Sequence, residues 1–183
     1  SNIQFLFDRS LKDKSKTIMV TSSVSGEGKT FISINMATVF ALGGKKTILV
    51  GLDLRKPKIF GDFDLTNDIG VVNYLIAEES IPNIIQKSKI PNLDIITSGP
   101  IPPNPSEMLI NSATEELINA LKKEYDYIIL DTPPIGLVSD ALELLKYADA
   151  TIYVLRQEYS HKGMLKIINE KYKEYSIQYG FRK

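Results

Sequence analysis

A short polar segment containing two glycines lies between an apolar run and a helix-forming run near the N-terminus. Residues 23–30 read Ser-Val-Ser-Gly-Glu-Gly-Lys-Thr. They follow the β-branched run at 17–21 and lead into residues 29–42, whose pattern predicts a helix. Strand, loop and helix in this order are the context that a phosphate-binding loop requires, although Ser23 stands where that motif usually has its first glycine. The alternative, an ordinary Gly/Ser turn, is disfavoured by this context.

The residue types of this loop suit the binding of a phosphate chain. Gly26 and Gly28 let backbone N–H groups turn toward phosphate oxygens, and the following helix directs its positive dipole end to the same place. Lys29 would reach the β and γ phosphates, and Thr30 would offer its hydroxyl to Mg²⁺. We therefore expect a bound nucleotide to contact Ser25, Gly26, Glu27, Gly28, Lys29 and Thr30.

Strand-like and helix-like runs continue to alternate along the chain. Further strands are predicted at 47–50, 93–97, 127–130 and 150–155, and helices at 106–122, 139–147 and 164–175. Prolines and glycines at 99–105 and 132–136 indicate loops. This alternation predicts an α/β fold, with a mostly parallel sheet covered by helices on both faces, of the P-loop nucleotide-binding type.

Composition narrows the classes of function. The 183 residues are 43% hydrophobic, which fits one compact domain over 1–183. Lys+Arg and Asp+Glu are both 22, so nothing in the charge balance predicts nucleic-acid binding. With no cysteine and a single histidine, His161, the chain has neither a disulfide framework nor a zinc cluster. No apolar run reaches the roughly 20 residues of a membrane helix, and we expect a cytoplasmic domain.

Two acidic residues follow predicted buried strands. Asp131 ends the run Ile-Ile-Leu, and Asp53 follows 48–50 and is itself followed by Arg55 and Lys56. Because parallel strands place ligands at their carboxyl ends, the loops after 21, 50 and 130 are expected to converge on one site. An Asp in the position of Asp131 holds Mg²⁺ in phosphate-loop enzymes, directly or through water.

Together these motifs resemble the bacterial tyrosine kinases that control capsule and exopolysaccharide assembly. That family combines a phosphate loop, a strand end with Asp-x-Asp-x-Arg, and a hydrophobic strand followed by Asp-x-Pro-Pro; here the last reads Asp131 to Pro134. Residues 98–107 and 1–5 also resemble family segments, so the resemblance covers roughly residues 1–155. It implies an ATP- and Mg²⁺-dependent kinase that phosphorylates tyrosines at its own C-terminus.

The resemblance also implies roles for single residues. Lys29, Asp53, Asp131 and Arg55 would be catalytic, with Asp53 orienting or deprotonating the acceptor hydroxyl. Mg²⁺ would be held by Thr30, Asp53 and Asp131. Arg156 follows a predicted strand at the ligand edge and is expected near the nucleotide base.

Three tyrosines near the C-terminus are candidate phosphoacceptors. Tyr172, Tyr175 and Tyr179 lie where the family carries its tyrosine cluster. Their spacing also places them on one helical face, where such residues more often pack than react. Both interpretations stay open for Tyr179, and packing is favoured for Tyr172.

The chain departs from the family pattern at several places. Gly51 replaces the first acid of Asp-x-Asp, which leaves Asp53 alone in that motif. The family's upstream Glu-x-x-Arg-x-x-Arg segment, associated with ring-shaped oligomers, and its last core strand have no counterpart, so we expect trimming at the N-terminus and an incomplete C-terminal strand and tyrosine tail. The resemblance further implies self-association and a membrane activator, fused or separate, that holds the domain at the inner face of the plasma membrane.

Two other classes of protein remain as alternatives. Partitioning and cell-division ATPases share the expected fold, but their additional signature lysine corresponds to Val24 here. The other class is a non-catalytic nucleotide-binding module that controls assembly, in which Gly51 has removed kinase activity while ATP still binds. Phosphate incorporation into tyrosine, with nucleotide binding measured separately, distinguishes this module from a kinase.

Overall fold

The apolar runs of the sequence pair into one six-stranded sheet. The structure is a computed structural model that describes residues 15–25, 28–135 and 140–155. Five strands are parallel, and β3 pairs antiparallel with β4 at one edge. The spatial order is β3-β4-β2-β5-β1-β6. The strands are β1 (Lys16–Ser22), β2 (Thr47–Gly51), β3 (Gln86–Lys87), β4 (Leu93–Ile96), β5 (Tyr127–Asp131) and β6 (Ala150–Val154).

Helices connect these strands and cover both faces of the sheet. The longest is α1 (Lys29–Leu42), which crosses from β1 to β2, and α6 (Ser112–Lys122) precedes β5. The others are α2 (Ile59–Asp62), α3 (Val71–Leu75), α4 (Ile81–Ile84), α5 (Pro105–Leu109) and α7 (Asp140–Glu143), the last followed by a 3₁₀ helix (Leu144–Tyr147). No helix in the described part of the chain is both long and apolar enough to cross a membrane.

Alternation along the strands produces two apolar layers. In β2, Ile48 and Val50 pack in one layer with residues of α6, whereas Leu49 packs in the other with residues of α1. Phe40 of α1 stacks on Tyr127 of β5 with the ring centroids 4.0 Å apart. Buried central strands with helices on both sides confirm the predicted α/β fold.

The single helix predicted over 106–122 is wrong in one respect. The structure has two helices there, because α5 ends at Leu109 and α6 begins at Ser112. Between them, the side-chain oxygen of Asn111 accepts a hydrogen bond from the backbone N–H of Ala113 at 3.1 Å. An asparagine that caps a new helix at this point satisfies an otherwise unpaired N–H, and this favours a break over continuation.

Other predicted boundaries also changed in detail. The helix predicted at 139–147 is α-helical over Asp140–Glu143 and then tightens into the 3₁₀ helix. The helix predicted at 164–175 lies outside the described residues. The antiparallel strand β3 and the short helices α2, α3 and α4 were not predicted, since segments of two to five residues are too short to show a periodic pattern.

Candidate active site

Three loops meet at the carboxyl edge of the parallel strands. Asp131, the last residue of β5, is in register with Val20 of β1 and with Gly51 of β2. Backbone hydrogen bonds join these strand ends to the loops that follow them. The N–H of Leu52 donates to the carbonyl of Asp131 at 2.8 Å, and the N–H of Thr132 donates to the carbonyl of Val20 at 3.1 Å. The convergence predicted from the sequence is therefore present in the fold.

A buried ion pair lies where these loops meet. The ammonium of Lys29 is 2.6 Å from Oδ1 of Asp131 and 3.6 Å from Oδ2 of Asp53. The side chains of Lys29 and Asp131 are only 7% and 3% exposed, so water solvates this ion pair poorly. The charge of Lys29 is therefore balanced mainly by the two carboxylates. Such charges are stable in a protein interior only when they are paired.

Two hydroxyls complete the surroundings of Asp131. Thr30 Oγ1 donates to Asp131 Oδ2 at 3.1 Å, and Ser33 Oγ lies 3.1 Å from Oδ1. Burial raises the pKa of the Asp131 carboxyl above its ordinary value, while Lys29 and the two hydroxyls act in the opposite direction. Ser33 was not predicted from the sequence, although its position four residues after Lys29 places it on the same helical face.

Gly28, the residue before α1, has a backbone conformation that suits the end of a phosphate-binding turn. Gly28 precedes the helix at φ 82° and ψ 16°, a left-handed conformation that glycine adopts readily. The N-terminus of the 14-residue helix α1 therefore opens beside Lys29, where its unpaired N–H groups and dipole favour an anion.

The residues after β2 point in different directions. Asp53 turns toward Lys29, and its Oδ1 accepts the backbone N–H of Lys56 at 3.3 Å. The Lys56 ammonium lies 3.4 Å from the hydroxyl of Ser25 in the phosphate loop. Arg55 instead donates to the hydroxyl of Ser106 in α5, so it is not among the groups that contact Lys29 and Asp131.

Gly51 is closely packed against the loop that follows β4. A Cβ at this position would lie 3.0 Å from Ser98 Oγ and 3.3 Å from the Ser98 backbone nitrogen. Ser98 Oγ is itself 2.9 Å from the carbonyl oxygen of Gly51 and 3.3 Å from that of Asp53. Ser98 was not predicted as a site residue; its place after a buried strand, at the same sheet edge, is the signal that could have identified it.

An open cleft of about 260 Å³ leads to this cluster. Its lining includes two residues that the sequence did not suggest, Phe31 of α1 and Lys58 after β2, together with Pro134, which was noted only as part of the Asp-x-Pro-Pro motif. The remaining lining residues are Ser25, Gly28, Lys29, Thr30 and Asp53. The cleft is thus lined by the cations Lys29 and Lys58, by the carboxylate of Asp53 and by the apolar rings of Phe31 and Pro134.

The site residues suit a nucleotide with a magnesium ion. In the described part of the chain no three acidic, histidine or cysteine side chains form a metal-binding cluster. Mg²⁺, however, is commonly held by one or two carboxylates together with substrate phosphates. Thr30, Asp53 and Asp131 offer that donor set next to the phosphate cradle.

Several predicted site residues lie outside the described part of the chain, so the structure does not test them. These are Gly26, Glu27, Arg156, Tyr172, Tyr175 and Tyr179. The cleft is lined by five of the remaining predicted residues, Ser25, Gly28, Lys29, Thr30 and Asp53, and Asp131 contacts Lys29 at 2.6 Å.

Comparison with known proteins agrees with this geometry. A family model described as an AAA domain matches residues 15–178. The chain is 41% identical over 155 residues to the tyrosine-protein kinase YwqD of Bacillus subtilis, covering 85% of this chain and 64% of that relative. It is 35% identical over 166 residues to the putative tyrosine-protein kinase CapB of Staphylococcus aureus, covering 91% of this chain and 72% of the relative.

Solved structures show the same relationship. The chimerical protein CapA2B2 superposes with a TM-score of 0.86 at 35% identity, covering 96% of this chain and 76% of its own. The kinase domain of the Escherichia coli tyrosine kinase ETK superposes at 0.85 with 28% identity, covering 91% and 65%. The septum site-determining protein MinD of Pyrococcus horikoshii, at 0.70 and 22% identity, shows the shared fold. The chain therefore belongs to the bacterial tyrosine-protein kinase family, and its fold is that of a P-loop AAA domain.

Proposed function

We propose that the protein is an ATP- and Mg²⁺-dependent tyrosine autokinase that acts in the control of capsule or exopolysaccharide synthesis. The observation that carries this proposal is the convergence of Lys29, Thr30, Asp53 and Asp131 at the N-terminus of α1. The names of the related kinases support it. The chain spans 64% of the length of the Bacillus relative. The kinase activity of a full-length protein is therefore proposed for this chain.

The nucleotide is bound by groups that the structure has already brought together. Lys29 and the N–H groups at the start of α1 attract the β and γ phosphates, and Lys56 lies near enough to Ser25 to add a second positive charge. Thr30, Asp53 and Asp131 would hold Mg²⁺, which when bound supplies positive charge that neutralises the phosphate oxygens during transfer.

Transfer then requires a hydroxyl in line with the γ-phosphorus. The tyrosine oxygen forms a bond to this phosphorus as the bond from phosphorus to the β,γ-bridging oxygen breaks, and ADP leaves with that electron pair. Asp53 orients the phenolic hydroxyl or takes its proton, because its carboxylate lines the cleft. Lys29 stabilises the charge that develops on the phosphates.

The family relationship supports a proposal about the acceptors and partners. Tyr172, Tyr175 and Tyr179 are the proposed acceptors, presented to the site of a neighbouring subunit in a ring-like homo-oligomer. A membrane activator, fused or separate, would bring the domain to the inner face of the plasma membrane. The similarity to the CapA2B2 chimera supports a search for such an activator.

A second candidate function is a nucleotide-binding assembly module without kinase activity. Gly51 supports it, because the second strand end carries one carboxylate where the family pattern has two. The phosphate cradle and Lys29 do not depend on that carboxylate, so nucleotide binding would persist where phosphate transfer did not.

The test is phosphorylation of the full-length protein with Mg-ATP, read by mass spectrometry of its tyrosines. We expect phosphate on C-terminal tyrosines, and Lys29→Met to abolish it, because the phosphates lose their buried cation. ADP binding is measured on both proteins by calorimetry. Bound ADP without phosphotyrosine in the unaltered protein would reject the autokinase and favour the assembly module.

A further inference from the structure

A buried serine hydroxyl lies beside the ion pair at the carboxyl edge of the sheet. Ser33 is 0% exposed and follows Lys29 by one turn of α1. Its Oγ is 3.1 Å from Asp131 Oδ1 and 3.0 Å from the carbonyl oxygen of Lys29. Because a hydroxyl carries a single proton, it donates to only one of these acceptors at a time. Rotation of the hydroxyl is therefore enough to change the acceptor of Ser33.

Both carboxylate oxygens of Asp131 have other donors in the structure. The ammonium of Lys29 donates to Oδ1 at 2.6 Å, and the hydroxyl of Thr30 donates to Oδ2 at 3.1 Å. The bond from Lys29 is charge-assisted and short, so it is the stronger of the contacts to Oδ1. While Lys29 holds this position, the orientation of the carboxylate does not depend on Ser33.

The proposed kinase function requires a different arrangement of Lys29. A metal ion held by Asp131, directly or through water, places a second cation beside an ammonium that lies 2.6 Å from the same carboxylate. Like charges so close repel strongly in a buried site, and the lysine of a phosphate loop is needed at the β and γ phosphates. On this function, Lys29 leaves Asp131 Oδ1 when magnesium and nucleotide bind, while the hydroxyl of Ser33 stays within reach of that oxygen.

We propose that Ser33 is a positioning residue, which replaces Lys29 as the donor to Asp131 Oδ1 when magnesium and nucleotide bind and so keeps the carboxylate directed at the metal ion. This inference rests on the proposed kinase function and adds to it a residue that none of the sequence motifs singled out. Groups that orient a metal-binding carboxylate are commonly needed for full metal affinity. Because Ser33 is fully buried, water is poorly placed to take over this bond.

A purely structural role of the same hydroxyl would have different consequences. Serines within helices often donate to the carbonyl four residues earlier, and the contact between Ser33 and Lys29 has this spacing. Such a bond contributes equally with and without Mg²⁺, whereas the proposed exchange of donors matters only when Mg²⁺ is bound. Nucleotide affinity measured in both conditions therefore separates the two roles.

The experiment measures the ADP affinity of the full-length protein by calorimetry, once with Mg²⁺ and once with EDTA. The ratio of the two affinities is the gain due to Mg²⁺. We expect Ser33→Ala to reduce this gain about tenfold, as is usual when a group that orients a metal ligand is removed, and to keep the affinity in EDTA within about twofold. Thr38→Ala, which removes a half-buried hydroxyl further along α1, is the matched control and should keep the full gain.

Urea denaturation of the same proteins without nucleotide supplies the second readout. We expect Ser33→Ala to unfold at nearly the same urea concentration as the unaltered protein, because Lys29 and Thr30 still donate to Asp131. An unchanged gain from Mg²⁺ in Ser33→Ala, with or without a loss of stability, would overturn the inference, as would equal losses of ADP affinity in Mg²⁺ and in EDTA. A gain that depends on Ser33 in a protein that forms no phosphotyrosine would reject the autokinase and retain the role of Ser33.

Discussion

At the scale of single residues, the site is defined by a small number of buried charges that neutralise one another. Lys29 contacts Asp131 at 2.6 Å and Asp53 at 3.6 Å, and both carboxylates also accept hydrogen bonds from neighbouring groups. Lys29, Asp53 and Asp131 could be predicted because each occupies a fixed place in a motif. The contact between Ser98 and Gly51 could not, because no motif links these two positions, which are 47 residues apart in sequence.

The contact between Gly51 and Ser98 leads to a prediction about packing. Gly51→Ala places a methyl group 3.0 Å from Ser98 Oγ, so we expect it to lower the free energy of unfolding by about 1–3 kcal/mol. In the background of Ser98→Ala, which removes that oxygen, the same change should cost less. The measurement is urea denaturation of both single variants and the double variant.

The double-mutant cycle decides whether the contact is responsible. We expect a coupling free energy of at least about 0.5 kcal/mol, as is usual for residues in contact. Gly61→Ala is the matched control, because a Cβ at Gly61 meets nothing within 4 Å. Additive effects of the two changes would contradict the proposed packing.

The hydrogen bond of Tyr125 leads to a prediction about how the free energy of unfolding depends on pH. Its hydroxyl donates to Asp94 Oδ2 at 2.7 Å, and burial together with that carboxylate raises its pKa above the ordinary value of 10.0. Because the unfolded chain loses this proton first, the contribution of Tyr125 is present below pH 10.0 and is lost as the pH rises further. Tyr125→Phe should therefore cost about 1–3 kcal/mol near neutral pH and less at about pH 11.

The test is to measure the unfolding free energies of the unaltered protein and of Tyr125→Phe in urea, at about pH 8 and at about pH 11. The difference in unfolding free energy between the two proteins should be smaller at the higher pH. A gap that stays constant would mean that the phenol ionises equally in the folded and unfolded chains.

At the scale of elements, the end of α5 and the start of α6 show how one side chain sets a boundary. The prediction for 106–122 was right that this range is helical and wrong that it is one continuous helix. Asn111 is tolerated within a helical pattern, so the sequence alone did not reveal the break. Its side-chain bond to Ala113 exists only when the chain turns there, and the turn lets Leu117 and Leu121 of α6 reach the core.

Replacing this cap should loosen α6. We expect Asn111→Ala to lower the free energy of unfolding by about 0.5–2 kcal/mol, because the N–H of Ala113 loses its acceptor. Asn104 is the matched control: it occupies the corresponding position before α5, but its side chain makes no capping hydrogen bond.

Thermal or urea denaturation of Asn111→Ala and Asn104→Ala, side by side, checks this prediction. Asn104→Ala removes only an exposed contact with Glu107 and should change stability less. Equal losses in the two variants would show that the capping bond contributes nothing specific.

At the scale of the whole molecule, the sheet order places the site. β5, with Asp131 at its end, lies between β1 and β2, so the phosphate loop, Asp53 and Asp131 follow three adjacent parallel strands. Apolar layers on both faces of the sheet fix the positions of these strand ends relative to one another. A site whose residues are 102 positions apart is thereby held by the most buried part of the fold.

The sequence by itself determined the fold class, the positions of the main strands along the chain and the charged residues of the cluster. It did so because apolar periodicity and motif spacing are local properties of the chain. Only the tertiary structure decided that Ser98 packs against Gly51, that Arg55 turns to Ser106, and that Phe31 and Pro134 line the cleft with Asp53. Those contacts depend on the distances between loops from separate strands, which are fixed when the two apolar layers pack against the sheet.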